Sequence, residues 1–301
     1  MILTICLNPV LQKTLVFSCN IEKNDVNRAL SHRFDVSGKG INVSRVLTQL
    51  GIPVVHITQI GGVFTKLFKN LCLTDNIKLD FVKITGNIRF CYTIVDTGVT
   101  ELVEEGTRVD PDVESKVFRK INYYLNNKNI SAVVISGSKA PGFSDNLYPS
   151  IVYKCLSKNL PVVADYRGSD LINTLEAVKP LNSKAHFLTI KPNAQELCST
   201  FLCNNTEADI KNCIETIHNT YGCNCVITHG EHPVLARTSK GFSVFPVLTS
   251  SSTQNTTGCG DAFTAGFASI ISIEENFHKA VEKGLECGQK NALTLRSGSI
   301  L

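Results

Sequence analysis

The chain of 301 residues is long enough to bury a large core, and its 43% hydrophobic and 19% charged residues are typical of an ordinary globular protein. A formal net charge of +4, dispersed along the sequence, is too small for a nucleic-acid or membrane surface, so we expect neither partner. The first apolar run, Met1 to Leu7, lacks a basic leader and stops at Asn8-Pro9, far short of a membrane span, so we expect a cytoplasmic protein.

The cysteines of the chain could form disulfides or bind zinc. The chain has 12 cysteines, but several lie inside apolar runs, where a free thiol behaves as a small hydrophobic group; examples are Cys6, Cys91 and Cys155. The segment from Cys198 to Cys225 also holds His218, yet it contains no C-x-x-C pair of the kind that structural zinc sites use. We therefore expect reduced thiols rather than disulfides or zinc.

Apolar runs typical of buried strands alternate with segments typical of helices. The predicted strands are Ile2 to Leu7, Val54 to Gln59, Ala132 to Ser136, Leu160 to Ala164, Phe187 to Ile190 and Cys225 to Thr228. The predicted helices include Asn42 to Leu50, Thr65 to Leu73, Asp112 to Asn126 and Ala262 to Ile271. This alternation predicts an α/β fold with a mostly parallel sheet, helices on both faces and ligands at the carboxyl ends of the strands.

Two stretches alternate polar and apolar residues and do not suit that buried sheet. The first is Thr14 to Asp35, and the second is Arg89 to Val103, in which Asp96-Thr97-Gly98 is typical of a hairpin turn. We expect them to form a small β-stranded lid, at about residues 12–36 and 86–105, inserted in a single domain that spans 1–301. An exposed strand edge on this lid favours pairing with a second copy, so a homodimer is expected there.

A glycine-rich segment, Ser37-Gly38-Lys39-Gly40, opens the helix that contains Asn42. Glycines permit close backbone contact with a small polar ligand, while Lys39 and Asn42 supply donors for sugar hydroxyls or a phosphate. An ordinary glycine turn ahead of a capped helix explains the same residues, and this segment alone leaves both interpretations open.

Two later strands also end in polar residues. Ser138 and Lys139 follow the strand Ala132 to Ser136, where a substrate could contact the serine and main-chain amides. Asn193 and Glu196 follow Phe187 to Ile190 and share one helix face, so the amide could reach a phosphate and the carboxylate could organise the waters of a Mg²⁺ ion. A capping box, with Asn193 as the cap, is the structural alternative.

The stretch Asn255 to Phe267 carries the strongest chemical signal. Gly258 and Gly260 flank one small residue, Asp261 follows at once, and an apolar helix begins. The bare amides of a first helical turn favour an anion, and a carboxylate beside them could take the proton from a hydroxyl during phosphoryl transfer. In the structural alternative, Asp261 only caps the helix.

Taken together and in this order, these segments resemble the PfkB, ribokinase-like family of carbohydrate kinases over essentially the whole chain. The matching motifs are Leu7-Asn8-Pro9, Gly38-Lys39-Gly40-Ile41-Asn42-Val43, Thr85 to Glu105 with Arg89, Ser136-Gly137-Ser138, Lys191-Pro192-Asn193 with Glu196, and Thr257-Gly258-Cys259-Gly260-Asp261. They look most like the branch with 1-phosphofructokinase, tagatose-6-phosphate kinase and the minor 6-phosphofructokinase. The resemblance implies a three-layer α/β/α core.

The family resemblance also implies ATP-dependent phosphorylation of a sugar phosphate, with Mg²⁺ and without a covalent enzyme intermediate. Asp261 would be the base, and the amides from Gly258 to Asp261, including those of Cys259 and Gly260, would form the anion hole. The residues implied at the sugar and its phosphate are Gln12, Gly38, Lys39, Gly40, Asn42, Arg89, Ser138, Lys139 and Arg28. Those implied on the nucleotide side are Asn193, Thr228, Gly230, Asn291 and Glu196, the last holding Mg²⁺ through water.

One departure from the family leaves the sugar open: Gln12 stands where the family commonly has Asp. Two alternatives are a kinase of an unphosphorylated sugar or nucleoside, and a regulator that binds a sugar phosphate without catalysis. P-loop, Rossmann and protein-kinase signatures are missing from the sequence, so those ways of binding ATP are set aside.

Overall fold

A nine-stranded sheet forms the centre of the structure, a computed structural model that describes residues 1–248 and 253–301. Its strands are β1 (Ile2–Ile5), β4 (Val54–Gly61), β5 (Lys78–Ile84), β8 (Ala132–Ser136), β9 (Val162–Asp165), β10 (Leu188–Ile190), β11 (Asn224–His229), β12 (His232–Thr238) and β13 (Gly241–Phe245). They lie in the order β13-β12-β11-β10-β9-β8-β1-β4-β5. Neighbours are parallel from β5 to β11, and the pairs β11/β12 and β12/β13 are antiparallel.

Helices cover both faces of this sheet. They are α1 (Lys39–Gln49), α2 (Thr65–Thr74), α3 (Val113–Asn127), α4 (Leu147–Ser157), α5 (Ser169–Val178), α6 (Ala194–Phe201), α7 (Glu207–Tyr221), α8 (Cys259–Ile271) and α9 (Phe277–Ala292), with a 3-10 segment at Lys179–Phe187. Because strand side chains alternate, Leu3 and Ile5 pack with α3, α4, α5 and α7, whereas Ile2 packs with α1, α8 and α9. The predicted three-layer α/β/α core is confirmed.

A small second sheet stands apart from this core. It contains β2 (Val10–Val16), β3 (Ser31–Ser37), β6 (Arg89–Val95) and β7 (Val99–Val103), in the order β3-β2-β6-β7. Strands β6 and β7 form the predicted hairpin, and β2 pairs in parallel with β6. One face of the small sheet packs through Leu11 and Val36 against Ile41 and Phe68, which leaves the other face free for a ligand.

The structure shifts several predicted boundaries. Helix α1 begins three residues before the predicted start at Asn42, because Gly38, with φ of 106°, serves as its N-cap. Strand β9 continues one residue past the predicted Ala164 and ends at Asp165. Among the described helices, none is long and apolar enough to cross a membrane.

The buried guanidinium of Arg45 ties several segments to the core. Only 1% of this side chain is exposed. Its Nε donates to Asp75 Oδ2 at 2.9 Å, and one Nη donates to Asn42 Oδ1 at 2.9 Å and to the carbonyl of Ser297 at 3.0 Å. The other Nη donates to the carbonyl of Val36. Arg45 therefore connects the small sheet and the C-terminal segment to the first turn of α1.

A second arginine completes the charge balance. Arg296 lies 2.8 Å from Asp35 Oδ1 on β3 and 2.7 Å from Asp75 Oδ1. Two guanidinium groups and two carboxylates thus share one largely buried network, and the planar donor fork of arginine suits such bridging. Removing one member leaves its partners buried with less counter-charge and with fewer hydrogen bonds.

We predict that Arg45→Met lowers the free energy of unfolding by about 3 kcal/mol, because breaking a buried pair leaves Asp75 and several carbonyls undersatisfied. Urea unfolding measures the change. Lys116→Met is the control, since Lys116 pairs with Asp112 on the exposed side of α3 and should matter little. Equal, small effects of both substitutions would show that the network does not stabilise the fold.

Candidate active site

A cleft of about 400 Å³ lies between the carboxyl ends of the parallel strands and the free face of the small sheet. Asp165 ends β9, Lys191 directly follows β10, and Thr228 lies near the end of β11, and all three line the cleft. The structure brings together these sequence-predicted residues: Gln12, Gly38, Lys39, Asn42, Arg89, Asn193, Glu196, Thr228, Gly258, Gly260 and Asp261.

Asp261 lies at the base of the cleft on the first turn of α8. The helix begins there because Gly258 has a left-handed backbone, with φ of 86°, and an added Cβ would lie 2.3 Å from the main-chain nitrogen of Gly298. Asp261 makes no side-chain cap; its Oδ2 instead accepts a hydrogen bond of 2.8 Å from Asn42 Nδ2. The capping alternative is therefore not what the structure shows.

The start of α8 favours negative charge beside this carboxylate. First-turn amides have no acceptor within their helix and carry a partial positive charge. Gly258 and Gly260 line the cleft, and Lys191 Nζ lies 3.9 Å from the point where a Cβ on Gly260 would stand. An anion above Gly260 would thus meet main-chain amides and an ammonium group.

The pKa of Asp261 suits a base near neutral pH. Burial, with the negative charge of Asp165 in second place, raises the pKa of Asp261 to about 7. The positive charges of Lys39 and Lys191 and the hydrogen bond from Asn42 act in the opposite direction. A carboxyl group with such a pKa can both accept and release a proton at physiological pH.

Asp165 forms ion pairs with two lysines of the cleft, Lys39 and Lys191. Its Oδ1 lies 3.4 Å from Lys39 Nζ and 3.6 Å from Lys191 Nζ, and its Oδ2 accepts from Ser136 Oγ at 2.9 Å and from Thr264 Oγ1 at 3.0 Å. Burial acts to raise its pKa, but the two lysines and two hydroxyls outweigh burial and hold the pKa of Asp165 below its usual value. The carboxylate therefore stays charged and holds both ammonium groups.

Sequence reasoning assigned no function to Asp165 or to Lys191. The available signal was the acid that directly follows the apolar run Val162-Val163-Ala164, and the lysine that directly follows Ile190. Each is the first polar side chain at the carboxyl end of a buried strand, which is where ligands collect in such sheets.

Asn193 and Glu196 form the capping box that was the structural alternative for them. Asn193 Oδ1 accepts from the Glu196 amide at 2.8 Å, and Glu196 Oε2 accepts from the Asn193 amide at 3.0 Å. Glu196 Oε1 lies 2.7 Å from Lys39 Nζ. Burial acts to lower the pKa of Lys39, but the charges of Asp165, Glu196 and Asp261 outweigh it and raise that pKa. The box thus also fixes a carboxylate and an ammonium group at the cleft.

Arg89 extends the cleft toward the small sheet. Its Nη atoms donate to the carbonyls of Glu104 and Asn8, each at 3.1 Å. Its Nε is buried and has no partner among the described residues. Asn8 Nδ2 also donates to Ser138 Oγ at 3.3 Å, so Ser138 is linked to Arg89 although it does not line the cleft.

Other predicted residues lie away from the cleft. Lys139 pairs with Asp170 and donates to the carbonyl of Ser144 at 2.8 Å, so its charge is directed elsewhere. Arg28 is exposed in the loop between β2 and β3. Gly40 packs on the first strand segment, where an added Cβ would lie 2.8 Å from Cys6 Cβ.

Gly230 and Asn291 were predicted on the nucleotide side, and Cys259 was predicted at the anion hole. Gly230 forms the turn between β11 and β12, with φ of 57°. Asn291 is fully buried: its Nδ2 donates to the carbonyl of Thr257 at 3.0 Å, and its Oδ1 accepts from the Ser299 amide at 2.9 Å. Its amide groups thus support the loop ahead of α8. The Cys259 side chain contacts Asn291 Nδ2 at 3.4 Å instead of lining the cleft.

A three-layer α/β/α core with a small second sheet beside its ligand cleft defines the ribokinase-like class of folds. A family model described as "pfkB family carbohydrate kinase" matches residues 7–299. The chain therefore belongs to the pfkB family of carbohydrate kinases, and the family resemblance found in the sequence is confirmed.

Solved structures support the same fold. A Thermotoga maritima protein described as a possible 1-phosphofructokinase matches with a TM-score of 0.86 and 22% identity, over 98% of this chain and 93% of its own. Escherichia coli phosphofructokinase-2 in complex with fructose-6-phosphate matches with a TM-score of 0.83 and 20% identity, over 99% and 95%. Thermotoga maritima ribokinase matches with a TM-score of 0.71 and 15% identity, over 99% of this chain and 94% of its own. At these identities the likeness establishes the fold alone.

The raised pKa of Asp261 predicts a stability change that depends on pH. The folded state holds the proton up to about pH 7, whereas the unfolded chain releases it near pH 4, so ionisation costs folding free energy as the pH rises through that window. Asp261→Asn should therefore become more stable relative to the wild type, by about 2 kcal/mol, between about pH 5 and pH 8.

Urea unfolding of both proteins at the two pH values measures this difference. Asp145→Asn is the matched control, because Asp145 is exposed and its removal should leave the pH dependence unchanged. If the stability difference between Asp261→Asn and wild type did not change with pH, the carboxyl group would not have a raised pKa.

Proposed function

We propose that the protein transfers the γ-phosphoryl group of ATP to a hydroxyl of a sugar phosphate. Hexose phosphates such as fructose 1-phosphate, fructose 6-phosphate and tagatose 6-phosphate are the proposed acceptors. The observation that carries the proposal is the position of Asp261, a buried carboxylate beside the first-turn amides of α8 and within one cleft with Lys39, Lys191 and Arg89.

In this proposal Asp261 takes the proton from the acceptor hydroxyl as the hydroxyl attacks the phosphorus. Its pKa of about 7 gives a useful fraction of ionised base at neutral pH while keeping it basic enough to accept the proton. The hydrogen bond from Asn42 Nδ2 fixes the orientation of the carboxylate. Transfer is direct, so no covalent enzyme intermediate forms.

The groups around Asp261 stabilise charge on the transferring phosphoryl group. The amides of Gly260 and Asp261 on α8 act as an anion hole, and Lys191 adds positive charge from the neighbouring strand end. On the nucleotide side, Asn193 and Thr228 line the cleft beside Glu196 and are proposed to contact ATP.

The residues around Glu196 fit a magnesium ion that keeps its own waters. Both oxygens of Glu196 already accept hydrogen bonds, from Lys39 and from the Asn193 amide, so this carboxylate suits binding to coordinated water rather than to the metal itself. When bound, Mg²⁺ would neutralise phosphate charge. Lys39 and Glu196 would then position the ion and the nucleotide phosphates on the same side of the cleft.

Arg89 is proposed to bind the phosphate already present on the acceptor. Arg89 lines the cleft, and each of its Nη atoms uses one of its two N–H groups on a main-chain carbonyl, which leaves N–H donors for a ligand. A guanidinium fork matches a phosphate dianion. The main-chain carbonyls of Asn8 and Glu104 hold Arg89 in place for that contact.

The small sheet is proposed to act as the lid, through segments at about 12–36 and 86–105 of a single domain. Closing over the cleft would exclude water, so that ATP is not hydrolysed instead. The edges of this sheet, β3 and β7, are open to pairing, and we propose a homodimer through them. One structure of Escherichia coli phosphofructokinase-2 is described as a tetrameric inhibited form of that protein. A cytoplasmic location is part of the proposal.

An unphosphorylated sugar or nucleoside is the second candidate acceptor. It is favoured by Lys139, whose ammonium group pairs with Asp170 and so leaves Arg89 with less positive charge beside it than the sequence suggested. A regulator that binds sugar phosphate without catalysis is disfavoured, because Asp261 and the start of α8, which a kinase of this kind would use, line the same cleft.

Arg89→Ala separates the two acceptor classes. With ATP and hexose phosphates, we predict a loss of roughly 10- to 100-fold in kcat/KM, because a hydrogen-bonded charge pair to the phosphate is removed. With unphosphorylated sugars the change should stay within about threefold. A coupled assay of ADP release measures both.

Arg108→Ala, at an exposed position, is the control and should behave as the wild type. The proposal of a sugar-phosphate acceptor would be contradicted if wild-type protein phosphorylated only free sugars, or if Arg89→Ala lost the same activity on both classes.

A further inference from the structure

Glu101 is an acidic residue on the cleft face of the small sheet. Strand residues alternate between the two faces, and the lining residues follow that alternation on three strands: Val10 and Gln12, Arg89 and Cys91, and Glu101 and Val103. Glu101 is paired across the hairpin with Thr93, and Cys91 is paired with Gln12 and with Val103. Glu101 thus belongs to the wall that faces the acceptor.

This carboxylate is exposed to solvent at the cleft, and little of its acceptor capacity is used within the protein. Among residues 1–248 and 253–301, its hydrogen bond is one from the Cys91 thiol to Oε1, with a sulfur–oxygen distance of 3.8 Å. A thiol is a weak donor, and an ionised carboxylate can accept about four hydrogen bonds. The described lysines and arginines form no salt bridge with Glu101, so most of its acceptor capacity is open to a ligand.

The three other carboxylates that line the cleft, Asp165, Glu196 and Asp261, already accept hydrogen bonds from Lys39, the Asn193 amide or Asn42, and the remaining polar side chains supply mainly donors to a bound sugar. Arg89 and Lys39 can only donate, and the Asn42 amide is already used, since its Nδ2 contacts Asp261 and its Oδ1 accepts from Arg45. Gln12 donates through Nε2 to Thr93 Oγ1 at 2.6 Å, and the acceptor it offers to a hydroxyl is its neutral Oε1. A sugar hydroxyl must also donate its own proton, and Glu101 is the strong acceptor on this wall.

We infer that Glu101 is a specificity-determining residue that accepts hydrogen bonds from hydroxyl groups of the acceptor. The inference rests on the proposed function and narrows its substrate class to polyhydroxylated acceptors. Arg89 and Glu101 lie on the same sheet face with opposite charges, so the phosphate is drawn toward Arg89 and repelled from Glu101. This polarity orients the acceptor with its hydroxyls toward β7, and it disfavours an acceptor with a second anionic group there.

The test compares Glu101→Gln and Glu101→Ala with the wild type on the acceptor that the wild type uses best. We expect the KM for the acceptor to rise roughly tenfold with Gln and roughly 10- to 100-fold with Ala, because a charge-assisted hydrogen bond is weakened and then lost. The kcat and the KM for ATP should change by less than about threefold, since Glu101 contacts neither the base nor the nucleotide site. Glu105→Gln is the matched control at an exposed neighbouring position.

Acceptor analogues that each lack one hydroxyl give a second readout that a merely structural role would not change. The wild type should bind one such analogue at least about tenfold more weakly than the parent, and Glu101→Ala should bind the two equally, because the partner of that hydroxyl is gone. Binding is measured by calorimetry without ATP, so it does not depend on turnover.

The outcomes separate this inference from the proposed function. If the wild type phosphorylates sugar phosphates but both Glu101 variants keep the wild-type KM and the wild-type response to every analogue, the inference is wrong and the kinase proposal stands. If the wild type phosphorylates only free sugars and Glu101→Ala still raises their KM, the inference stands and the sugar-phosphate proposal is wrong. If the wild type neither binds nor phosphorylates any of these acceptors, both are wrong.

Discussion

The hydrogen bond between Asn42 and Asp261 is the interaction on which the candidate site depends. It joins the first turns of α1 and α8, which are far apart in sequence, and it holds a largely buried carboxylate at the cleft. The same Asn42 accepts from Arg45, whose guanidinium is itself fixed by Asp75 and by main-chain carbonyls. A buried ionic network of the fold thus sets the geometry of the proposed base.

The electrostatics of the cleft follow from that arrangement. Burying Asp261 near Asp165 raises the pKa of Asp261, and Lys39 and Lys191 prevent the shift from going further. Asp165 remains charged because both lysines and two hydroxyls contact it. The environments of these two neighbouring carboxyl groups therefore shift their pKa values in opposite directions, up for Asp261 and down for Asp165. One site can in this way hold a permanent anion, Asp165, and a proposed base, Asp261. Both lysines line the cleft in which phosphate groups are proposed to bind.

Much of the fold and part of the site were predictable from the sequence. The continuous apolar run that contains Ile2, Leu3 and Ile5 predicts a strand buried on both faces, and these residues do pack in two different helical layers. The polar–apolar alternation around Asp96-Thr97-Gly98 predicts the hairpin of the small sheet. Local signals also placed Asp261 and Asn42 in the cleft, because glycine-rich helix starts mark ligand sites, whereas Arg89 was placed there by the family resemblance. Strand β12, which lies between β11 and the edge strand β13, was not predicted, since it contains Pro233 and ends in polar residues, and a proline argues against a strand in the interior of a sheet.

Long-range pairing accounts for what the sequence could not predict. Lys139 is a free cation in the sequence but pairs with Asp170 in the fold, and Asn291 turns its amide to the loop ahead of α8. Asp165 gains importance only because Lys39 and Lys191, distant in sequence, reach it. Likewise, Glu101 becomes noticeable only when the hairpin places it on the same face as Arg89 and Gln12. Such partnerships depend on tertiary distances that no local pattern records.

The central claim is that Asp261 removes the proton from the acceptor, and the turnover of Asp261→Asn tests it most directly. Asparagine preserves the size and one acceptor oxygen of the side chain, so sugar-phosphate binding should persist while kcat falls by about 100-fold or more, as loss of a positioned base typically causes. Binding of the acceptor by calorimetry and ADP release by a coupled assay give both values. Near-normal turnover by the folded Asp261→Asn protein would contradict the account.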